Sequence, residues 1–503
     1  MRALPVRRPS AEGAGSLHER QDLGGREAVG YLQGLSRFGM RLGLERIRDL
    51  LAALGHPEDR LPPVYHIAGT NGKGSTACLI ESILRAAGYR TALFTSPHLV
   101  HYEERFAFDG RPVAGAELAG AVARARAAAE ERAAAGREQP TEFEVATAVF
   151  FDLVARRRPD AVVLEVGLGG RYDATNAVPS PAVSVVTNVA LDHTDRLGRT
   201  VAEIARDKAG IARPGVPLIT GAADPEALAV LRATCREVGA PLGEVAGEAA
   251  VPPAGEEPAV AAAPAAPGRR AAGGPGEDGA GAGGGRPVAT YRIREVGGTG
   301  ARWDYRSEWA SWTDLPLGLV GRHQVANAAV AVTAVLAAAA AGRGLPVDEA
   351  AIRRGLATAR WPGRLERLSW QGREVWLDGA HNPAGMAALA RAVADLWPGR
   401  RPVLVFGMLD DKDVESAAAA IAPVTAWAVV TEPPTSRAAA AERGAAALAA
   451  RGVPAVIERD PAAALHRALA GALPRDPVVV AGSLYLVGHV RSLLLAPAAT
   501  PGS

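Results

Sequence analysis

Cysteine is nearly missing from these 503 residues: Cys78 and Cys235 are too few for a disulfide framework or a cysteine-rich zinc site. Cys78 lies in an apolar helical stretch and reads as a small buried side chain. An excess of one charge is missing too. With 56 basic and 54 acidic residues the net charge is +2, so no bulk field exists to hold nucleic acid and any anion site must be local. The N-terminal stretch MRALPVRRPSAEGAGSLHERQDLGG has no apolar run able to serve as a signal peptide. No uncharged apolar stretch reaches about 18 residues, the Ala-rich 329–341 included. These absences predict a cytoplasmic protein with no membrane or nucleic-acid partner. No Ser/His/Asp or Cys/His arrangement points to a covalent enzyme intermediate, and no internal repeat is evident.

What remains is a globular composition, 48% hydrophobic and 22% charged, on a chain long enough for two substantial cores. Short apolar runs alternate with helical segments: VYHIAG (64–69), TALFTS (91–96), AVVLEVG (161–167) and AVSVVTNVA (182–190) read as strands buried on both faces, hence a parallel α/β sheet. A second series, EVWLDG (374–379), PVLVFGM (402–408), AWAVVTE (426–432) and PVVVAGS (477–483), predicts a smaller Rossmann-like α/β domain. Residues 246–288 are Ala/Gly/Pro-rich and read as a flexible insertion. The expected organisation is an irregular extension over 1–27, a larger domain over 28–360 with a mostly parallel P-loop-type sheet, and a second domain over 361–497.

The densest signal is HIAGTNGKGST (66–76). A strand delivers the chain to Gly69, Gly72 and Gly74, whose freedom lets backbone amides turn inward, and a helix starting at Ser75 adds its positive end. Lys73 supplies a full charge, and Ser75 a hydroxyl for phosphate or Mg²⁺. The spacing departs from G-x-x-x-x-G-K-[ST]: only Thr70 and Asn71 separate Gly69 from Gly72, and Gly74 splits the Lys–Ser pair. Alone, the loop implies nucleotide binding without naming a reaction. The later Gly-Leu-Gly-Gly (167–170) does not have dinucleotide-motif spacing.

The GTNGKGS loop resembles that of the Mur ligase superfamily, and within it the folylpolyglutamate synthase/dihydrofolate synthase family. Further motifs follow in that family's order: SRFGMRLGLERI (36–47), similar to its N-terminal helix, then SPHL (96–99), TEFE (141–144), LEVGLGGRYDATN (164–176), LDHTDRLG (191–198), DKAGI (207–211), GRHQVANA (321–328), WPGRLE (361–366), DGAHNP (378–383) and FGMLDDKD (406–413). The Gly-rich insertion is the main departure.

The resemblance implies an ATP-dependent ligase joining L-glutamate to a folate or dihydropteroate through an acyl phosphate, with Mg²⁺ and, as an optional further cation, K⁺. It implies ATP contacts from Gly69 through Ser75 and from Asn327, Arg364, Asp378 and His381. Ser96, Glu165 and His193 become magnesium ligands, and Lys73, Lys208 and His193 the catalytic set, with Lys208 carbamylated. Thr141, Glu142, Phe143, Glu144, Tyr172 and Asp173 become substrate contacts, Phe143 able to stack on a pterin. It also suggests a monomer.

On their own residues these assignments differ in strength. A carboxylate inside an apolar strand is costly unless paired, so Glu165 already favours a site. Ser96 before Pro97 could equally be a turn residue, His193 a hydrogen-bonded structural histidine, Lys208 an unmodified lysine, and Phe143 part of an apolar helix face. Two other functions stay open: a Mur-type peptidoglycan precursor ligase, and a nucleotide-binding module without ligase chemistry. Mur enzymes of the first kind carry a further N-terminal domain, whereas here the phosphate loop begins about 65 residues in.

Overall fold

The computed structural model describes residues 24–39, 41, 43–248 and 287–496. Their strands form two sheets. The first holds β1 (Val64–Ala68), β2 (Thr91–Phe94), β3 (Phe106–Phe108), β4 (Arg111–Pro112), β5 (Ala161–Glu165), β6 (Val183–Val186), β7 (Leu218–Thr220), β8 (Leu242–Gly247), β9 (Ala289–Gly297), β10 (Gly300–Ser307) and β11 (Ser311–Leu317), in the order 11-10-9-8-7-6-1-5-2-3-4. From β2 across to β9 every pairing is parallel, and antiparallel strands finish both edges. The second sheet holds β12 (Glu366–Trp370), β13 (Arg373–Asp378), β14 (Val403–Phe406), β15 (Trp427–Val430), β16 (Ala455–Ile457) and β17 (Val478–Ala481), in the order 12-13-17-14-15-16. All but β12 run parallel. Every residue of β1, β5 and β14 is buried, as unbroken apolar runs require when helices cover both faces.

Helices α1 (24–34), α2 (Glu45–Ala53), α3 (Lys73–Ala86), α4 (Gly115–Ala134), α5 (Glu142–Arg157), α6 (Val201–Ala209) and α7 (Pro225–Val238) clothe the first sheet, followed by α8 (Arg322–Ala340) and α9 (Glu349–Thr358). Helix α10 (Pro383–Leu396) opens the series in the second lobe. By length and composition α8 alone among the described helices could cross a membrane, although it opens on the polar residues Arg322, His323 and Gln324. Its apolar residues instead pack against β6, β8, β9 and β10 in the largest core cluster, while its first turns reach the cleft.

Three boundaries differ from the sequence reading. Residues 24–27 belong to α1; the expected extension before them, 1–23, lies outside the described residues, as do 249–286 of the expected insertion. Ala246 and Gly247 are paired in β8 with Thr290 and Tyr291. The segment 36–47 is not one helix: a short 3-10 turn ends at Phe38 and α2 starts at Glu45, with Gly39 and Gly43 at φ +64° and +130° between them, angles that no α-helix accommodates.

Candidate active site

The phosphate loop leaves β1 and is tied down from β6. Thr70 N–H donates to the Asn188 carbonyl (3.0 Å), Asn71 N–H to Asn188 Oδ1 (2.8 Å), and Thr187 Oγ1 to the Asn71 carbonyl (2.7 Å). Gly72 sits at φ +83°, and a Cβ there would lie 2.4 Å from Asn327 Oδ1, so only glycine fits between loop and α8. Helix α3 starts at Lys73 rather than Ser75. Lys73 Nζ folds back onto the carbonyls of Gly69 (3.0 Å) and Thr70 (3.1 Å); burial lowers its pKa against the raising effect of Glu165.

The loop forms one wall of a cavity of about 400 Å³. The first lobe contributes Gly69 through Ser75, Glu165, His193, Lys208 and Asn327, and the junction and second lobe add Arg364, Asp378 and His381. Ser96, two residues beyond β2, does not line the cavity; its N–H donates to Glu165 Oε2 (3.1 Å). Burial pushes Glu165 up to about 7 even though Lys73 pulls the other way. His193 is held at φ +50°, with its N–H on Asp192 Oδ1 (2.9 Å), and burial lowers its pKa so the neutral imidazole is favoured. Lys208 is buried on α6 with Nζ 3.0 Å from the Gly69 carbonyl; burial, then Lys73, push it down to about 7.

From the second lobe, Asp378 ends β13 and accepts from Leu365 N–H (2.9 Å) and Ala380 N–H (2.9 Å), so both of its oxygens already hold backbone and each keeps a further lone pair. His381 Nδ1 lies 2.8 Å from the Gly379 carbonyl, and burial pushes its pKa down to about 4, leaving Nε2 as the acceptor. Arg364 Nη1 donates to the Gly363 carbonyl (3.1 Å).

The expected substrate contacts lie elsewhere. None of Thr141, Glu142, Phe143, Glu144, Tyr172 and Asp173 lines this cavity. Thr141 and Glu144 form the capping box of α5, and Glu144 also accepts from buried Arg46 (3.1 Å). Glu142 accepts from Tyr102 Oη (2.9 Å) and faces Arg105. Phe143 packs behind the wall: a Cβ on Gly167, which does line the cavity, would sit 2.5 Å from Phe143 Cζ. Tyr172 is 41% exposed, under the guanidinium of Arg171. Asp173 is buried, pushed up to about 6, and spends both oxygens on Thr175 and the Leu168 N–H. It fixes the turn after β5.

Three residues that the motifs contained but the reading passed over complete the site. Asp192 Oδ1 accepts from Lys412 Nζ (2.9 Å) and Oδ2 from Asn382 Nδ2 (2.8 Å), and Asn382 also donates to Asn71 Oδ1 (3.0 Å). Lys412 Nζ lies 3.4 Å from His193 Nε2. Burial opposes ionisation of Asp192, but Lys412, His193 and Asn382 outweigh it and hold the carboxyl well below its usual range. Only three of the chain's 56 basic residues are lysine, namely Lys73, Lys208 and Lys412, and all three reach this cleft.

Among the described residues no group of three or more His, Cys, Asp or Glu forms a ready metal cage. The donor set still fits a hard cation that keeps most of its waters: a buried carboxylate at about 7 wants a positive partner, and a neutral imidazole offers a lone pair. Of the three expected ligands, Glu165 and His193 line the cavity, while Ser96 does not and meets Glu165 only through its backbone N–H.

A phosphate loop on a parallel sheet, closed by a second lobe that brings Arg364, Asp378 and His381 to the same space, defines an ATP-dependent ligase. Residues 67–233 match the Mur ligase middle domain, and residues 363–484 the Mur ligase glutamate ligase domain. Within the Mur ligases, the chain belongs to the folylpolyglutamate synthase/dihydrofolate synthase family. It is 33% identical over 471 residues to the folylpolyglutamate synthase of Lacticaseibacillus casei, covering 93% of this chain and 98% of that protein. To the dihydrofolate synthase/folylpolyglutamate synthase of Bacillus subtilis it is 33% identical over 393 residues, covering 78% and 81%. It spans about half of a longer relative, a probable bifunctional folylpolyglutamate synthase/dihydropteroate synthase of Halobacterium salinarum: 40% identity over 469 residues, 93% of this chain and 51% of that protein. Among solved structures, Mycobacterium tuberculosis folylpolyglutamate synthase complexed with ADP superposes with a TM-score of 0.80 at 30% identity, covering 95% of this chain and 99% of that one. Escherichia coli FolC in complex with DHPP and ADP gives 0.76 at 32%, covering 93% and 97%.

Proposed function

We propose that the cleft adds L-glutamate to a folate acceptor, tetrahydrofolate or dihydropteroate, with ATP converted to ADP and phosphate. The observation that carries this reading is the meeting, in one cavity, of Lys73 and the phosphate loop with Arg364, Asp378 and His381 of the opposite side. Both species that meet first are anions, the acceptor's carboxylate and the γ-phosphate, so screening and alignment are the main tasks. Lys73 and Arg364 supply positive charge to the phosphates. The carboxylate attacks the γ-phosphorus, ADP leaves, and the acyl phosphate formed is attacked by the glutamate amine; phosphate then departs from the tetrahedral intermediate with the amine's proton lost to solvent or a nearby base. A magnesium ion held by Ser96, Glu165 and His193 would neutralise phosphate charge.

Lys208 is proposed to be carbamylated. Its pKa of about 7 leaves a large fraction of neutral amine near neutral pH, which adds to CO₂ with loss of one proton, forming a C–N bond and an anion. That replaces two crowded ammonium groups on the Gly69 carbonyl with an opposite-charge pair. Intact mass at saturating bicarbonate tests it: the added mass of CO₂ supports the reading, and a bare amine ends it. The protein is placed in the cytoplasm, where ATP and L-glutamate are abundant, as a monomer that light scattering on a sizing column would check.

The deciding assay compares ADP release with dihydropteroate, tetrahydrofolate and a UDP-sugar acceptor, each with L-glutamate. Folate-dependent ADP release is expected, and positional isotope exchange in ATP driven by the folate without glutamate reports the acyl phosphate. Cleavage to AMP and pyrophosphate, or a response to the UDP-sugar alone, would overturn the assignment.

A further inference from the structure

Gly74 is the residue by which this phosphate loop departs from the common spacing, and the structure gives it a neighbour. A Cβ on Gly74 would lie 3.1 Å from Trp361 Cζ2, 3.2 Å from Nε1 and 3.4 Å from Cε2. The indole is half-buried and occupies the space a side chain would need. This contact is the last in a series that straps the junction to the phosphate-loop helix. Arg354 Nη2 donates to the Ala86 carbonyl (3.1 Å), Ser82 Oγ to the Gly355 carbonyl (2.7 Å), and Cys78 Sγ to the Arg360 carbonyl (3.3 Å). Helix α9 and the residues after it therefore run antiparallel along α3 and arrive at the loop itself.

Beyond Trp361 the chain makes one tight turn. Arg364 N–H donates to the Trp361 carbonyl (3.3 Å), with Pro362 second and Gly363 third at φ +70°, the chemistry of a type II turn. The Gly363 carbonyl also accepts from Gly379 N–H (2.8 Å), and Gly363 N–H donates to Glu366 Oε2 (2.8 Å). Arg364 thus stands at a defined offset from Trp361, held by a hydrogen-bonded turn.

We propose that Trp361 is a positioning residue for Arg364, tying the guanidinium's placement to the conformation of the phosphate loop through the indole–Gly74 contact. The inference rests on the reading above that Arg364 serves the nucleotide's phosphates. A loop ordered by nucleotide presses on the indole and seats the turn; an unseated indole leaves Arg364 displaced. A displacement of about 1 Å is enough to cost about 100-fold in a phosphoryl transfer step.

The test uses the full chain and four forms: wild type, Trp361→Phe, Trp361→Ala and Gly74→Ala. Titrating ADP should change the tryptophan fluorescence of wild type, and the change should vanish in Trp361→Phe although seven of the eight tryptophans remain. Trp361→Ala should lower kcat by about 10- to 100-fold while the Kd for ADP stays within about threefold, and Trp361→Phe, which keeps an aromatic plate on Gly74, should stay within about threefold of wild type in kcat. Gly74→Ala brings a methyl to 3.1 Å from the ring and shifts it by a few tenths of an ångström without shortening it, so it carries the test if Trp361→Ala does not fold, again with a loss in kcat. The inference is overturned if the ADP-dependent change survives in Trp361→Phe, if kcat is unaltered in the alanine forms, or if the loss sits wholly in ADP affinity. A wild type that hydrolyses ATP without any folate acceptor would count against the proposed reaction, whereas the ADP fluorescence titration judges Trp361 independently of it.

Discussion

Lys73 and Lys208 aim their amines at one oxygen: the Gly69 carbonyl lies 3.0 Å from each Nζ. Burial first, and repulsion from Lys73 second, disfavour a charge on Lys208, and its neutral form relieves both.

The first prediction follows from that relief. Lys208 titrates at about 7 when folded and near 10.4 when unfolded, so between these values the unfolded chain binds more protons and stability rises with pH. Below about 7 the full penalty of a buried cation is present. Lys208→Met should therefore raise Tm at pH 6 in bicarbonate-free buffer, with the gain shrinking toward pH 10, while activity is lost. A constant Tm difference across that range would contradict the assignment.

Glu165 gives a second. Its carboxyl is buried and pushed up to about 7, so a divalent cation that takes the carboxylate should stabilise the fold. Magnesium is expected to raise the wild-type Tm, and Glu165→Gln to abolish that rise and lower kcat by about 100-fold or more. Thermal scans with and without magnesium decide it.

The Asp192–Lys412 pair links the lobes with both side chains nearly buried, 10% and 8% exposed. Removing one partner of such a pair costs about 3–5 kcal/mol because the other is left unpaired. Lys412→Met should be more destabilising than the double change with Asp192→Asn, and both should lose ligase activity. Additive effects in this double-mutant cycle, read by urea denaturation, would show that the two groups act independently.

Gly72→Ala is the fourth. It asks an L-residue to hold φ +83° and places a methyl 2.4 Å from Asn327 Oδ1. Strain of this kind costs about 1–3 kcal/mol, so ATP affinity should fall by about tenfold or more. Asn327→Ala in the same background should recover part of it, as measured by calorimetric titration.

The parallel sheets were readable because strands buried on both faces must be apolar throughout, and β1, β5, β6 and β17 lie where those runs lie. The phosphate loop was readable because glycine, lysine and hydroxyl residues are fixed in spacing by the ligand. Asp192 and Lys412 were inside recognised motifs yet unremarked, since their role arises only when two lobes bring residues 220 apart in sequence to 2.9 Å. The TEFE segment carried its own correction: Thr141 and Glu144 stand at capping-box spacing, and in the fold they spend their side chains on the start of α5. The helix expected over 36–47 from resemblance alone is interrupted at Gly39 and Gly43, whose positive φ angles break it.

Arginine dominates the cationic surface of this molecule, and its entire stock of ε-amines is gathered around one cleft. An acylating or pyridoxal-type reagent directed at side-chain amines therefore behaves as a site label, without any recognition element of its own. Protection of those groups by nucleotide can be followed by mass alone, with the arginine surface silent.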